Sequence, residues 1–303
     1  MASAQPDTRR PGQPVTLASG LRCILAPNAS PMTYTGTNTY LLGTRDIAVI
    51  DPGPPDEAHL AAILDALEAH QRISHILVTH SHIDHSPLAM VLAQISGAKI
   101  FGFGDSRAGR SAVMAAFDDL GGGEGVDATF MPDVRLLDGE MVEGSDWTLT
   151  ALHTPGHMGN HLCFHWHEGK ALFSGDLVMG WATSMVSPPD GHLTDFLTSL
   201  EMLALRTSDE VYYSGHGMPI KTPSARVQEL LIHRRMRESQ IIEALDDAAL
   251  TPSELTAMIY TDIPPTLLPA AQRNVIAHLI DLSERNRVRP DQKLSATSRF
   301  SLI

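Results

Sequence analysis

Hydrophobic and polar positions along this chain follow two periods, and the switches between them lay out the elements. Residues 21–26, 37–42 and 47–50 are short apolar runs bounded by Pro, Gly and Asn, which predicts three early strands. Between 57 and 70, Leu60, Ile63, Leu64 and Leu67 recur at the helical period. A further apolar run, 73–78, is followed by a helix to about Ser96 and a strand over 99–103. Residues 147–152 alternate like a strand, and 162–167 place Leu162, Phe164 and Trp166 on one face. Strands at 171–173 and 211–213 flank a helix over 195–205. Strands interleaved with helices predict an α/β domain.

After Pro219 the pattern changes. Residues 227–248 read as a charged helix, and Thr251-Pro252-Ser253-Glu254 is a capping box opening a short helix to about Tyr260. Pro264-Pro265 breaks the chain before an amphipathic helix over 268–286, and the remainder suits a β hairpin. Three helices and a hairpin read as a winged-helix-like module, which divides the 303 residues into 1–219 and 220–303. Charge is divided the same way. The net −13 comes from a body (1–219) with 11 Lys+Arg against 25 Asp+Glu, while the tail has 11 against 10. An acidic body disfavours long-range attraction to nucleic acid. The near-neutral tail therefore reads as a structural or substrate-covering element rather than a DNA-docking one. No apolar run approaches the length of about 18 residues that a membrane span needs. The N-terminus lacks the apolar core of a secretory signal, and Cys23 and Cys163 form no disulfide framework, so a cytoplasmic protein is expected.

The chemistry concentrates in Thr79-His80-Ser81-His82-Ile83-Asp84-His85-Ser86, where three imidazoles and a carboxylate occur within six residues after an apolar strand. On extended backbone His80 and His82 would point the same way. Ser86-Pro87 reads as an N-cap with proline at the first helical position. Imidazole and carboxylate are the usual ligands of zinc and its neighbours, so this stretch predicts a metal site. The motif of an apolar strand, a glycine and a ligand-type residue recurs at His153-Thr154-Pro155-Gly156-His157, Ser174-Gly175-Asp176 and Ser214-Gly215-His216. Gly121-Gly122-Gly123 has no following phosphate-loop pattern and reads as a plain loop.

In their order, His80-Ser81-His82-Ile83-Asp84-His85, His157, Asp176 and His216 resemble the signature of the metallo-β-lactamase superfamily over about residues 20–219. The resemblance implies a four-layer αββα sandwich with metals at one edge. It also implies that His80, His82 and His157 hold a first metal, that Asp84, His85 and His216 hold a second, and that Asp176 bridges them. Two zinc ions are the expected cofactors, with iron or manganese as alternatives. A bridging hydroxide would attack an ester, thioester or phosphodiester, and Asp84 would accept a proton during turnover. The tail, with His233-Arg234-Arg235-Met236-Arg237-Glu238, resembles the winged-helix addition of the β-lactamase-like protein 2 branch, which contains an endoribonuclease. A small molecule or single-stranded RNA is therefore the expected substrate, and a homo-oligomer is open.

Asp51, closing the strand over 47–50, is expected to support the metal loop. His161 is expected to be structural rather than a ligand, and His165 and His167 to be solvated or satisfied polar residues. Tyr40 and Tyr213 are candidates for the cleft wall, and Trp181 with Met179 and Met185 for a wall of core or pocket. Met158 and Ser86-Pro87 depart from the family's usual Thr or Ser and glycine-rich start, without removing a ligand. The competing readings are a single-iron oxidoreductase resembling persulfide dioxygenase and a nucleic-acid-binding module through the tail. A flavodiiron role fits less well because His82 stands where that group carries an acid. An antibiotic-degrading enzyme would usually be exported.

Overall fold

Seven strands form one mixed sheet and five form a second. In chain order the elements are β1 (Val15–Ala18), β2 (Leu21–Leu25), β3 (Asn38–Leu42), β4 (Asp46–Ile50), α1 (Glu57–Asp65), β5 (Arg72–Leu77), α2 (Leu88–Ser96), β6 (Lys99–Gly102), α3 (Ala112–Ala115), β7 (Val134–Arg135), β8 (Met141–Glu143), β9 (Thr148–His153), β10 (Leu162–Trp166), β11 (Ala171–Gly175), α4 (Leu193–Ala204), β12 (Val211–Ser214), α5 (Pro223–Ala244), α6 (Pro252–Ile259), α7 (Leu268–Glu284), β13 (Val288–Pro290) and β14 (Phe300–Leu302). The computed structural model describes residues 7–117, 120–123 and 125–303. Part of the N-terminal segment read for a signal, residues 1–6, lies outside them.

The first sheet runs β1-β2-β3-β4-β5-β6-β7, antiparallel up to β4 and parallel from there on. The second runs β12-β11-β10-β9-β8, with only β11 and β12 parallel. Alternation then sends each strand's side chains two ways. Tyr40, Leu42, Ala48 and Ile50 of the first sheet meet Phe164, Trp166 and Phe173 of the second in a middle apolar layer. Their neighbours Leu41, Ile47 and Val49 turn outward against Ile63 of α1 and Leu92 of α2. Cys163 and Leu172 turn outward against Phe196 and Leu200 of α4 and Val227 and Leu230 of α5. Helix, sheet, sheet, helix is the expected αββα order. Phe164 is fully buried in the middle layer, and truncating it to alanine costs about 3–5 kcal/mol. Tyr40 and Tyr213 also sit in this layer, not in the cleft, because each alternates inward and the Tyr40 hydroxyl donates to Ser214 O at 2.6 Å.

Several boundaries differ from the hydrophobic pattern. Helix α1 stops at Asp65, five residues short, where Arg22 of β2 takes the Ala66 carbonyl. The last helix ends at Glu284, two residues short, because Asn286 adopts φ 54°, a left-handed stop. Helix α5 begins at Pro223 rather than Val227 and ends at Ala244 rather than Ala248. Ser86 does not cap α2; its hydroxyl donates to His82 O and to Asp127, and Pro87 takes the cap position without a side-chain bond. The capping box at Thr251 forms in both halves.

The tail packs α5, α6, α7 and the β13–β14 hairpin around Ile241, Leu255, Leu279 and Phe300. Helix α5 serves two cores, since Leu230 and Leu231 join the layer against α4 while Ile241 packs in the tail. No helix among the described residues is long and apolar enough to cross a membrane.

Candidate metal centre

The site lies at one edge of the sandwich, on loops that leave the strand ends. Strand β5 stops at Leu77, so His80 and His82 sit on irregular backbone rather than on an extended strand. They converge nonetheless: His80 Nε2 is 2.9 Å from His82 Nδ1, and His157 Nε2, delivered after β9, is 3.0 Å from the same atom. Asp84, His85 and His216 form a second group, with Asp84 Oδ2 3.3 Å from His85 Nε2 and 3.2 Å from His216 Nε2. Asp176, after β11, stands between the groups. Its Oδ1 is 3.6 Å from His85 Nε2, and its Oδ2 is 3.3 Å from His216 and 3.8 Å from His157. All seven residues singled out in the sequence therefore come together. His80 is also within reach of His85 and Asp176, so the two groups share a face.

Two glycines permit this approach. A Cβ on Gly215 would fall on Asp176 Oδ1 and 2.6 Å from His85 Cε1, and one on Gly175, at φ 47°, would lie 2.6 Å from His161 Nε2.

The far nitrogen of each ligand-type histidine except His82 is engaged by an oxygen. His85 Nδ1 donates to Asp51 at 2.9 Å, His157 Nδ1 to Met185 O at 2.7 Å, and His216 Nδ1 to Gly36 O at 3.1 Å. Thr79 Oγ1 donates to Asp51, which leaves its lone pair to accept from His80 Nδ1 at 2.9 Å. Each bond fixes the ring so that Nε2 faces inward, the arrangement of metal-ligating histidines. Asp51 adds a bond from Thr79 N at 2.7 Å, and its own φ of 51° turns the chain out of β4. His161 binds Thr154 and the Asp176 backbone N–H, so it holds a ligand's main chain. His165 lies 3.4 Å from Asp209, and His167 pairs with Thr150.

The donor set fits metal ions. Three buried nitrogens aim at one another with too few protons to satisfy them, and His85 Nε2 and Asp176 Oδ1 are buried with no hydrogen-bond partner. Burial and the neighbouring imidazoles hold His82 down to about 3 and keep His80 and His157 neutral, which leaves lone pairs free for a cation. The other half demands positive charge. Burial works against the charged forms, but Asp84 and Asp176 hold His85 protonated and lift His216 to about 9, while both carboxylates stay well below their usual range. A cation there satisfies the same carboxylates and releases those protons.

Sequence reasoning had no signal for Gly36 O or Met185 O, because any residue supplies a carbonyl. Thr37, whose hydroxyl donates to Asp84 Oδ2 at 3.2 Å, was legible only as part of a strand. Trp181 stacks on Tyr34 at 4.9 Å beside Gly217, which places it on the wall next to His216.

Comparison with known proteins identifies the family. Residues 32–216 match the model of the metallo-beta-lactamase superfamily, and 251–296 match the beta-lactamase associated winged helix domain. The chain is 31% identical over 291 residues to a beta-lactamase-like protein 2 homolog of Drosophila melanogaster, covering 90% of this chain and 91% of the relative. It is 31% identical over 251 residues to an atrochrysone carboxyl ACP thioesterase of Passalora fulva, covering 78% and 67%. A metallo-beta-lactamase family protein from Thermus thermophilus superposes with a TM-score of 0.77 at 26% identity, over 95% of this chain and all of that one. The sandwich, the histidine-rich edge and these matches together place the chain in the metallo-beta-lactamase superfamily, with the associated winged helix at its C-terminal side.

Proposed function

We propose that this protein is a two-metal hydrolase that cleaves a thioester or related ester of a small molecule, with zinc as the expected metal. The observation that carries the reading is the convergence of the seven side chains, with the outward nitrogens of His80, His85, His157 and His216 engaged and His85 Nε2 and Asp176 Oδ1 left without a partner. His80, His82 and His157 would hold one cation and Asp84, His85 and His216 the other, with Asp176 between. Bound there, the pair supplies an acidified water and polarises the scissile oxygen.

The chain's own part is to hold and to shuttle. The Nδ1 bonds keep His80, His85, His157 and His216 aimed, so these rings need no reorganisation during reaction. Asp84 is the most exposed of the three carboxylates, its side chain 20% exposed against 9% for Asp176 and 2% for Asp51. With Oδ2 held by Thr37, it is placed to take the proton that the attacking water gives up and to pass it on.

A thioester is supported over a phosphodiester by the rim and by a relative. Tyr34 and Trp181 stack on one side, and Met32, Ile83 and Met218, on segments flanking the ligands, are 46%, 51% and 40% exposed. The arginines that touch these segments are engaged elsewhere, Arg9 on Asp7, Cys23 and the Gly217 carbonyl and Arg226 on Glu229 and the Met179 and Ala182 carbonyls. An apolar rim suits an acyl or aryl group. The Passalora fulva relative is named as an acyl-carrier thioesterase. The same reading divides the chain at 219/220.

The test is protein purified without added metal and analysed for its metal content. It is then stripped, reloaded with zinc, manganese or iron, and assayed on acyl-CoA, S-lactoylglutathione, bis-p-nitrophenyl phosphate and single-stranded RNA. Metal-dependent thioester cleavage outrunning the diesters is expected. One iron per chain with oxygen uptake overturns the hydrolase, and RNA cleavage outrunning thioester cleavage overturns the substrate class.

A further inference from the structure

Arg234 of α5 is 2% exposed, and no carboxylate among the described residues pairs with it. Its guanidinium lies 5.0 Å over the Phe196 ring and donates to the Asn274 side chain of α7 at 2.9 Å and to the Ser184 carbonyl. A buried cation without a counter-ion is costly, so the contacts it makes in return call for a reason. Asn274 Oδ1 accepts a second bond, from Val186 N at 3.1 Å, while its Nδ2 donates to Ala270 O at 3.2 Å and fixes the amide's orientation. The backbone is thus gripped on both sides of Met185: the carbonyl before it by Arg234 and the N–H after it by Asn274.

That tripeptide touches two members of the metal cluster. Met185 O receives His157 Nδ1–H at 2.7 Å, and the Ser184 hydroxyl shares its one proton between the Asp176 carbonyl and Leu177 O. From this we infer that Arg234 and Asn274 are positioning residues for the metal centre: the C-terminal helices clamp residues 184–186 and so set the tautomer and rotation of His157. The winged-helix side of the protein is then part of the site's scaffold rather than an appended binding module. Removing a group that orients a ligating histidine typically costs 10–100-fold in metal affinity. The loss falls mainly on the group containing His157, since His216 and His85 take their Nδ1 partners from Gly36 and Asp51 and share with the clamped tripeptide only its contact to the Asp176 main chain.

The inference rests on the metal-centre reading, and the experiment separates the two. Zinc and Co2+ titrations against a competing chelator, with the Co2+ absorption spectrum recorded, are run on the full-length wild type, Asn274→Ala, Asn274→Asp and Arg234→Lys. Circular dichroism checks folding. Asn274→Asp keeps an oxygen to accept from Arg234 and Val186 N but loses the donor to Ala270 O, whereas Arg234→Lys keeps the buried charge but loses one of two directed bonds. Wild type is expected to bind two equivalents. Asn274→Ala should weaken one of them 10–100-fold with an altered Co2+ spectrum and weaken the other less. Asn274→Asp should bind the first of these equivalents more tightly than Asn274→Ala does, and Arg234→Lys should weaken it about 10-fold, so it decides the matter if the alanine variant does not fold. Wild type that binds no metal overturns the metal-centre reading. Wild type that binds two, with folded Asn274→Ala or Arg234→Lys indistinguishable from it, overturns this inference alone.

Discussion

Asp51→Asn tests the hydrogen-bonded support behind the metal loop with almost no change of volume. The carboxylate receives three donors: Thr79 N on Oδ1, and Thr79 Oγ1 and His85 Nδ1 on Oδ2. An asparagine oxygen can replace only one of those acceptors, and the Thr79 amide, which cannot move without the backbone, claims it. The Asn amide then faces the Thr79 hydroxyl, which can rotate to accept, and the His85 N–H, which cannot. His85 must shift its proton to Nε2 or turn away, and either removes the lone pair aimed at the metal. One buried hydrogen bond to a charged group is lost, about 1.5–3 kcal/mol, and the affinity of the group containing His85 falls about 10–100-fold. Chelator competition measures the affinity, and thermal melts with and without metal measure the stability. The wild type should gain more from added metal than the variant does. Identical metal affinity and identical metal-induced stabilisation in the two proteins would refute the reasoning.

Three further outcomes follow from the geometry. Asp84→Asn should lower kcat about 10²–10⁴-fold on a thioester while the apo protein keeps its fold, checked by steady-state kinetics and circular dichroism. Gly215→Ala should abolish tight metal binding, because its Cβ would occupy the space of Asp176 Oδ1 and His85; elemental analysis after gel filtration reads the loss. His192 bridges Asp195 of α4 and Glu284 of α7 at 2.9 Å each; burial opposes its charge, but those two bonds outweigh burial and raise its pKa. The stability it contributes is therefore full below pH of about 6.5 and is lost as the pH rises through the higher folded value. Melting temperature against pH should show that loss in the wild type and not in His192→Gln.

The longer strands of both sheets were legible because each must alternate between two buried environments, as Leu41 and Leu42 do. The seven side chains that converge were legible for a different reason: six of them stand directly after strands or in the one dense histidine motif. What escaped was whatever depends on a partner far along the chain. Arg22 ends α1 through the Ala66 carbonyl, and Asp127 draws Ser86 away from the cap position. His192 looked ordinary because its two carboxylates lie 3 and 92 residues away. The short strands β1, β7 and β8 carry too few apolar positions to show a period. Arg234, read only as one charge in a basic run, is buried by Phe196 and Asn274, neither of which its local sequence announces.

Anomalous diffraction from crystals grown with zinc, with data on both sides of the metal edge, tests the central claim most directly. Two peaks are expected: one about 2.0–2.2 Å from ring nitrogens of His80, His82 and His157, the other at that distance from Asp84, His85 and His216, with Asp176 between them. A single peak, or peaks only at other surface histidines, would contradict a two-metal centre built from these seven side chains.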